Sequence, residues 1–159
     1  MNTHETRILL MQRRKEKGVR GERNLLHILW SKGFACVRGP ASGGGARKIF
    51  YPDLIAVRNG VVYIFEIKKR KTENSIYLGG KQVERFLDFY KRAKGVKPDE
   101  RVYAFIAVKI HGKHWRFIPI EEVKKSRSEK SYKIDLKNTN KVLKLRDLLA
   151  LSENYSKLM

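Results

Sequence analysis

The chain has 159 residues, 42% of them hydrophobic, enough for one globular domain with a real core. Its 36 Lys and Arg against 16 Asp and Glu leave a net charge of +20, the balance of a polyanion binder, with nucleic acid the leading partner and an anionic membrane surface the rival. No apolar stretch is long enough to span a bilayer, no signal-peptide core opens the chain, and a single cysteine, Cys36, excludes an internal disulfide or a cysteine-rich zinc site, so an intracellular location is the default.

Residues 1–17 form a basic N-terminal extension with Arg13-Arg14-Lys15 and Lys17, either a helical arm or a loose one that touches phosphates; residues 18–159 read as a single domain. Gly21 to Ser31 predicts a helix with Leu25, Leu26 and Leu29 on one face. Glu22 shares that stripe. A core-facing carboxylate asks for a partner, but a first-turn acid also complements the helix dipole, and periodicity alone does not choose. Lys32-Gly33 ends the helix, and Phe34 to Arg38 reads as a short strand with Cys36 as a core filler. Gly39 to Phe50 is a loop without the P-loop pattern. Its glycines suit close approach to a phosphate, with Ser42, Arg47 and Lys48 as contacts; a merely flexible loop is the competing reading.

Pro52-Asp53 then opens an apolar run, Leu54-Ile55-Ala56-Val57. Asn59-Gly60 is a strong two-residue turn, and Val61 to Lys68 climbs back. Counting outward from the turn sets Arg58 against Val61 and Asp53 against Glu66. Side chains so paired have Cβ atoms roughly 5 Å apart, and like charges there are destabilising. Lys68 projects from the same face as Glu66. The basic run Lys68-Lys69-Arg70-Lys71 is a solvated strand end or a set of phosphate contacts beside those acids.

A linker holding Tyr77 and Gly79-Gly80 leads to a helix over Lys81 to Lys94. Val83, Leu87 and Tyr90 form one stripe, and Gln82, Phe86, Phe89 and Ala93 a neighbouring one, which is either a broad core face or a subunit interface. Val102 to Lys109 is a strand apolar on both faces, hence central. His111-Gly112-Lys113-His114 reads as a polar turn rather than a metal site. Trp115 to Ile118 continues as a strand and Pro119 to Lys125 as a short helix. Lys124-Lys125-Ser126-Arg127 is a solvated loop or a phosphate contact, Tyr132 to Leu136 an edge strand, and Leu143 to Leu151 an amphipathic helix.

This order of elements describes an α/β domain with a central sheet. On it, Asp53 and Glu66 suit a hard cation such as Mg²⁺, which binds through one or two carboxylates, keeps several waters and can supply the nucleophile for phosphodiester hydrolysis. Lys68 is placed to orient or deprotonate that water or to stabilise charge on the phosphate, and Glu22 to hold a water or a second ion. A salt-bridged strand end is the alternative.

Pro52-Asp53, followed after twelve intervening residues by Glu66-Ile67-Lys68, resembles the PD-(D/E)xK signature of restriction-endonuclease-like nucleases. Gly21-Glu22-Arg23, Lys32 to Arg38, Pro40-Ala41-Ser42-Gly43, Glu66 to Lys71, Ile76-Tyr77-Leu78, Gln82-Val83-Glu84 and Trp115 to Pro119 are similar, in order, to archaeal-type Holliday junction resolvases. The resemblance implies a restriction-endonuclease-like core, a central mixed β-sheet flanked by helices. It implies a Mg²⁺-dependent homodimer, with Mn²⁺ able to substitute, that recognises four-way DNA junctions by shape and nicks two opposing strands symmetrically. By position, Glu22, Asp53, Glu66 and Lys68 become the catalytic set, with Asp53, Glu66 and Glu22 at the metal. Ser42 matches a serine needed for cleavage, and Arg23 and Arg38 match basic residues of binding or catalysis. With Arg47, Lys48, Lys69, Arg70 and Lys71 they make the expected DNA contacts. The helix with Phe86 and Phe89 matches one used in dimerisation. A viral source is open. The alternatives are a nuclease of other branched or duplex DNA, and a non-catalytic DNA-binding protein.

Overall fold

A computed structural model of the chain describes residues 3–40, 49–96 and 101–156. In chain order it contains α1 (Thr3–Ser31), β1 (Ala35–Arg38), β2 (Leu54–Arg58), β3 (Val61–Arg70), β4 (Ile76–Gly79), α2 (Gly80–Lys94), β5 (Val102–Ile110), β6 (Trp115–Pro119), a 3-10 turn (Ile120–Glu122), β7 (Lys124–Lys125), β8 (Ser131–Ile134) and α3 (Leu145–Ser156). The main sheet has the order β1-β2-β3-β5-β6. Only β3 and β5 run parallel in it; the other pairs are antiparallel. A parallel pair needs a crossover, and β4 with α2 supplies part of it.

Side-chain alternation along β3 splits the core in two. On one face Tyr63 and Phe65 join Phe105, Trp115 and Phe117 beneath Leu25 and Leu29 of α1 and Leu148 of α3. The rings of Tyr63 and Phe65 stack with centroids 6.4 Å apart. Two hydrogen bonds fasten the helices: Trp115 Nε1 donates to Asn24 Oδ1 at 3.0 Å, and Tyr63 OH donates to the Leu148 carbonyl at 2.7 Å. On the other face Ile64, Ile106, Val108 and Ile118 meet Val83, Phe86 and Tyr90 of α2.

The basic extension is helical, since α1 runs unbroken from Thr3 to Ser31. The segment expected as a linker is instead strand β4, which belongs to a second sheet ordered β4-β8-β7. Two expectations are corrected by that sheet. Lys124-Lys125 is extended rather than helical, because it pairs with β8. The predicted edge strand lies in the middle, bonded on both sides. The sheet also explains the broad face of α2. Ile76, Leu78 and Ile134 share a core cluster with Phe86, which is only 1% exposed within the single chain. Phe86 is therefore core, not subunit interface, while Phe89 stays half-buried beside Phe50, ring centroids 6.1 Å apart.

Candidate active site

The site is built by the β2–β3 hairpin. Asn59 and Gly60 both take positive φ, 51° and 75°, the geometry of a tight two-residue hairpin turn. Pairing then follows the counted register, Arg58 with Val61 out to Leu54 with Phe65. One step beyond, Asp53 leaves the ladder, and its Oδ2 accepts a hydrogen bond from the Ile67 amide at 2.7 Å. That bond holds the Asp53 carboxylate beside Glu66. Behind it, the Gly39 amide donates to the Asp53 carbonyl at 3.0 Å. A Cβ on Gly39 would collide with the Pro52 carbonyl oxygen, so a glycine is required for this approach.

Glu66 is 5% exposed. Its Oε1 accepts from Lys68 Nζ at 2.9 Å and from Gln82 Nε2 at 2.5 Å, and Lys68 Nζ also reaches Gln82 Oε1 at 3.5 Å. Gln82 stands in the first turn of α2, so the crossover closes back onto the strand it left. Burial and then the neighbouring Asp53 charge push the Glu66 carboxyl up to about 7, against the pull of Lys68. Burial likewise raises Asp53, opposed by the Ile67 amide and Lys68. Glu22 comes from α1. Its carboxyl is raised by burial and by Asp53, which places it in the same electrostatic neighbourhood, and it is eased by Arg38 from β1. The Glu22–Arg38 pair is loose, at 3.7 Å.

Among the described residues no three His, Cys, Asp or Glu side chains converge as a ready-made metal cage. The donor set is two adjacent carboxylates, with Glu22 held off by Arg38. Two adjacent buried acids, the charge of Asp53 raising the proton affinity of Glu66, suit a divalent cation, and Mg²⁺ needs only one or two carboxylates. The residues present therefore fit such an ion.

The other predicted residues divide. Lys69 turns to the opposite face of β3, its side chain packed where a Cβ of Gly21 would sit. Burial, then Arg20 and Lys109, lower its pKa. Arg70 donates to the Lys69 carbonyl at 2.8 Å, and Lys71 and Arg23 are exposed. Ser42, Arg47 and Lys48 lie outside the described residues. His111 and His114 are exposed turn residues. Sequence reasoning missed Gln82 and Gly39 as parts of the site. Only a partner distant in sequence gives either one its role, and the placing of Gln82 on an apolar stripe hid its polar contact.

A mixed sheet carrying an aspartate and a Glu-x-Lys on one hairpin defines the restriction-endonuclease-like fold. The family described as "Archaeal holliday junction resolvase (hjc)" matches residues 13–157, and the chain belongs to it. It is 35% identical over 144 residues to the crossover junction endodeoxyribonuclease Hjc of Sulfurisphaera tokodaii, covering 91% of this chain and 93% of that protein. To the enzyme of the same name from Archaeoglobus fulgidus it is 39% identical over 122 residues, 76% of this chain and 80% of that one. The solved structure of Archaeoglobus fulgidus Hjc, described as a Holliday junction resolvase from an archaeal hyperthermophile, superposes with a TM-score of 0.65 at 31% identity, covering 84% of this chain and 96% of that one.

Proposed function

We propose that this chain is a Mg²⁺-dependent endodeoxyribonuclease that resolves four-way DNA junctions, working as a homodimer that makes paired, symmetric nicks. The observation that carries the reading is the buried Asp53–Glu66 pair, closed by Lys68 and Gln82 on the Glu66 oxygen. Mg²⁺, or Mn²⁺ on the same oxygen donors, would supply charge stabilisation at the phosphate and activation of the attacking water. The chain's own residues do the rest. Asp53 and Glu66 fix where positive charge sits, the Ile67 amide orients Asp53, and Gln82 holds Glu66 in one rotamer. The Lys68 ammonium is at hand for charge developing on the phosphate. Glu22 with Arg38 borders the site.

Phosphate contacts are assigned to Arg23, Arg38, Lys69, Arg70 and Lys71, with Ser42, Arg47 and Lys48 from the loop. Burial, and then the charges of Arg20 and Lys109, lower the proton affinity of Lys69, so a positive field suited to a phosphate surrounds it. A junction has approximate two-fold symmetry, so a two-fold dimer offers it two identical sites. With Phe86 in the core, Phe89 is the aromatic of α2 left for such a contact. Among the described residues no helix is long and apolar enough to cross a membrane, and DNA as substrate argues for an intracellular site of action.

The test is cleavage of a labelled four-way junction against its component duplexes, with and without Mg²⁺. Nicks at symmetric positions in the junction alone, and only with the metal, are expected. Equal cutting of the duplexes would assign the same site to another substrate, and no cutting would leave a DNA-binding protein.

A further inference from the structure

A second basic surface stands apart from the carboxylates. Within residues 124–133 there are five basic side chains, Lys124, Lys125, Arg127, Lys130 and Lys133, and one acid, Glu129. Strand register aligns Tyr77, Lys133 and Lys124 in one row across β4, β8 and β7. The alternate positions Ile76, Leu78 and Ile134 are buried against α2, so this row faces outward. Tyr77 is 60% exposed, and Lys133 Nζ lies 6.0 Å from the centre of its ring.

Lys124 and Lys133 are thus directly opposed like charges, which weaken a sheet. Among the described residues no ion pair within 4.0 Å joins either of them, or Arg127, to a carboxylate. Asp135 feels the Lys133 charge, but its oxygens accept from the Lys137 and Asn138 amides and from Asn138 Nδ2. Two hollows adjoin the row. Tyr77, Ser126, Arg127 and Lys133 line one of about 440 Å³. Lys124, Lys125, Arg127 and Lys133 help to line the other, of about 390 Å³, where the carboxylates of Glu122 and Asp135 also stand.

We propose that the outer face of this small sheet is a second DNA-backbone site, which grips a duplex arm of the same molecule whose strand is cut at Asp53 and Glu66. The proposal rests on the nuclease reading. Duplex DNA offers one negative charge per about 1.7 Å of axis, the complement of a lysine row with no direct carboxylate partner among the described residues. The two sites are rigidly joined. A Cβ on Gly80, the first residue of α2, would lie 2.8 Å from the Lys130 carbonyl, so the β7–β8 hairpin packs on the helix turn that carries Gln82. Tyr77 and Gln82 are five residues apart, at most about 18 Å of chain. That is about half a turn of duplex, whose full turn is about 34 Å. Tyr77 supports Lys133 from the side and keeps its ammonium on the outer face.

Junction binding without Mg²⁺ tests this, with the affinity followed from low to moderate salt. The full chain carrying Lys124→Gln, Arg127→Gln and Lys133→Gln is compared with one carrying the same loss of charge elsewhere, Lys91→Gln, Lys144→Gln and Arg146→Gln. The hairpin variant is expected to bind at least about tenfold more weakly at low salt, with its log–log salt slope shallower by about 2 to 3. The control should keep the slope. Equal slopes in the two variants would mean that net charge alone matters and would overturn the proposal. Lys124→Glu guards against a folding artefact, since it sets an opposite charge across from Lys133. Its melting temperature should match or exceed that of the unaltered chain while junction binding weakens; a fall in both would overturn the proposal too. Nicking by the unaltered chain with Mg²⁺ is read separately. Its absence would sink the nuclease reading, whereas the slope decides on the sheet.

Discussion

Two like-charged pairs stand on paired strands, Asp53 beside Glu66 on the β2–β3 hairpin and Lys124 opposite Lys133 across β7 and β8, and their surroundings differ. The acids are withdrawn from water: Glu66 is 5% exposed and its carboxyl is pushed up to about 7. Its repulsion is held in place by Lys68, Gln82 and the Ile67 amide. Of the lysines, Lys124 is exposed and Lys133 half-buried, so water and salt reach and screen both. Under the proposed function, burial would suit the acid pair to a small, hard cation set between fixed oxygens. Exposure leaves the lysine row able to follow an extended polyanion with no fixed geometry. The same imbalance thus serves chemistry in one place and grip in the other.

The comparison breaks first at the acids. Glu66→Ala or Asp53→Ala is expected to lower junction nicking on the order of 10³-fold or more, with junction affinity measured in a chelator largely kept. Nicking that survives both changes would place the chemistry elsewhere. Gln82→Ala tests whether the acid pair needs its outer support. A loss of about 10- to 100-fold in nicking is expected, partly recovered by raising Mg²⁺, with junction affinity unmoved. A rate unaffected by this change would make Gln82 a bystander.

The smallest effect is on stability. Folded, Glu66 holds its proton up to about 7; the ordinary value is 4.5. Between those values the native state binds more protons than the unfolded chain, so stability falls as pH rises through the window and levels off above it. The metal-free chain should melt at a lower temperature at pH 8 than at pH 5. Glu66→Gln should flatten that difference, and a difference of the same size in the variant would mean that Glu66 is not the cause.

What the sequence made legible was local or strictly periodic. The Asn59-Gly60 turn fixed a register that could be counted by hand as far as Leu54 with Phe65, because turn chemistry acts over two residues. The stripe of Leu25 and Leu29 marked the buried face of α1, both being fully buried. The second sheet was not legible. Ile76 pairs with Ile134 and Tyr77 with Lys133, and nothing within the short β4 segment announces a partner so far along the chain. Its tyrosine and two following glycines look like a linker. The misplacing of Phe86 has the same origin: a broad apolar helix face says that something covers it, not what, and here the chain covers itself. The length of α1 was only half legible, since its first half carries the consecutive, exposed run Ile8-Leu9-Leu10-Met11 and no stripe at helical spacing to mark it. Gly39 looked like a loop glycine, and its close approach to Pro52 became visible only in three dimensions.

One consequence of the Asn59-Gly60 turn concerns length. Asp53 stands six residues before Asn59, and Glu66 stands six after Gly60. The turn works as the fulcrum of a balance with equal arms, and the site exists where the two tips meet. Many apolar residues would serve within the arms. A single residue added to one arm would carry that tip past the other, and on β3 it would swing Glu66 from the α2 side to the α1 side of the sheet. Substitutions along the arms would then be absorbed as packing changes, while insertions or deletions of one residue would dismantle the carboxylate pair in a protein that still folds.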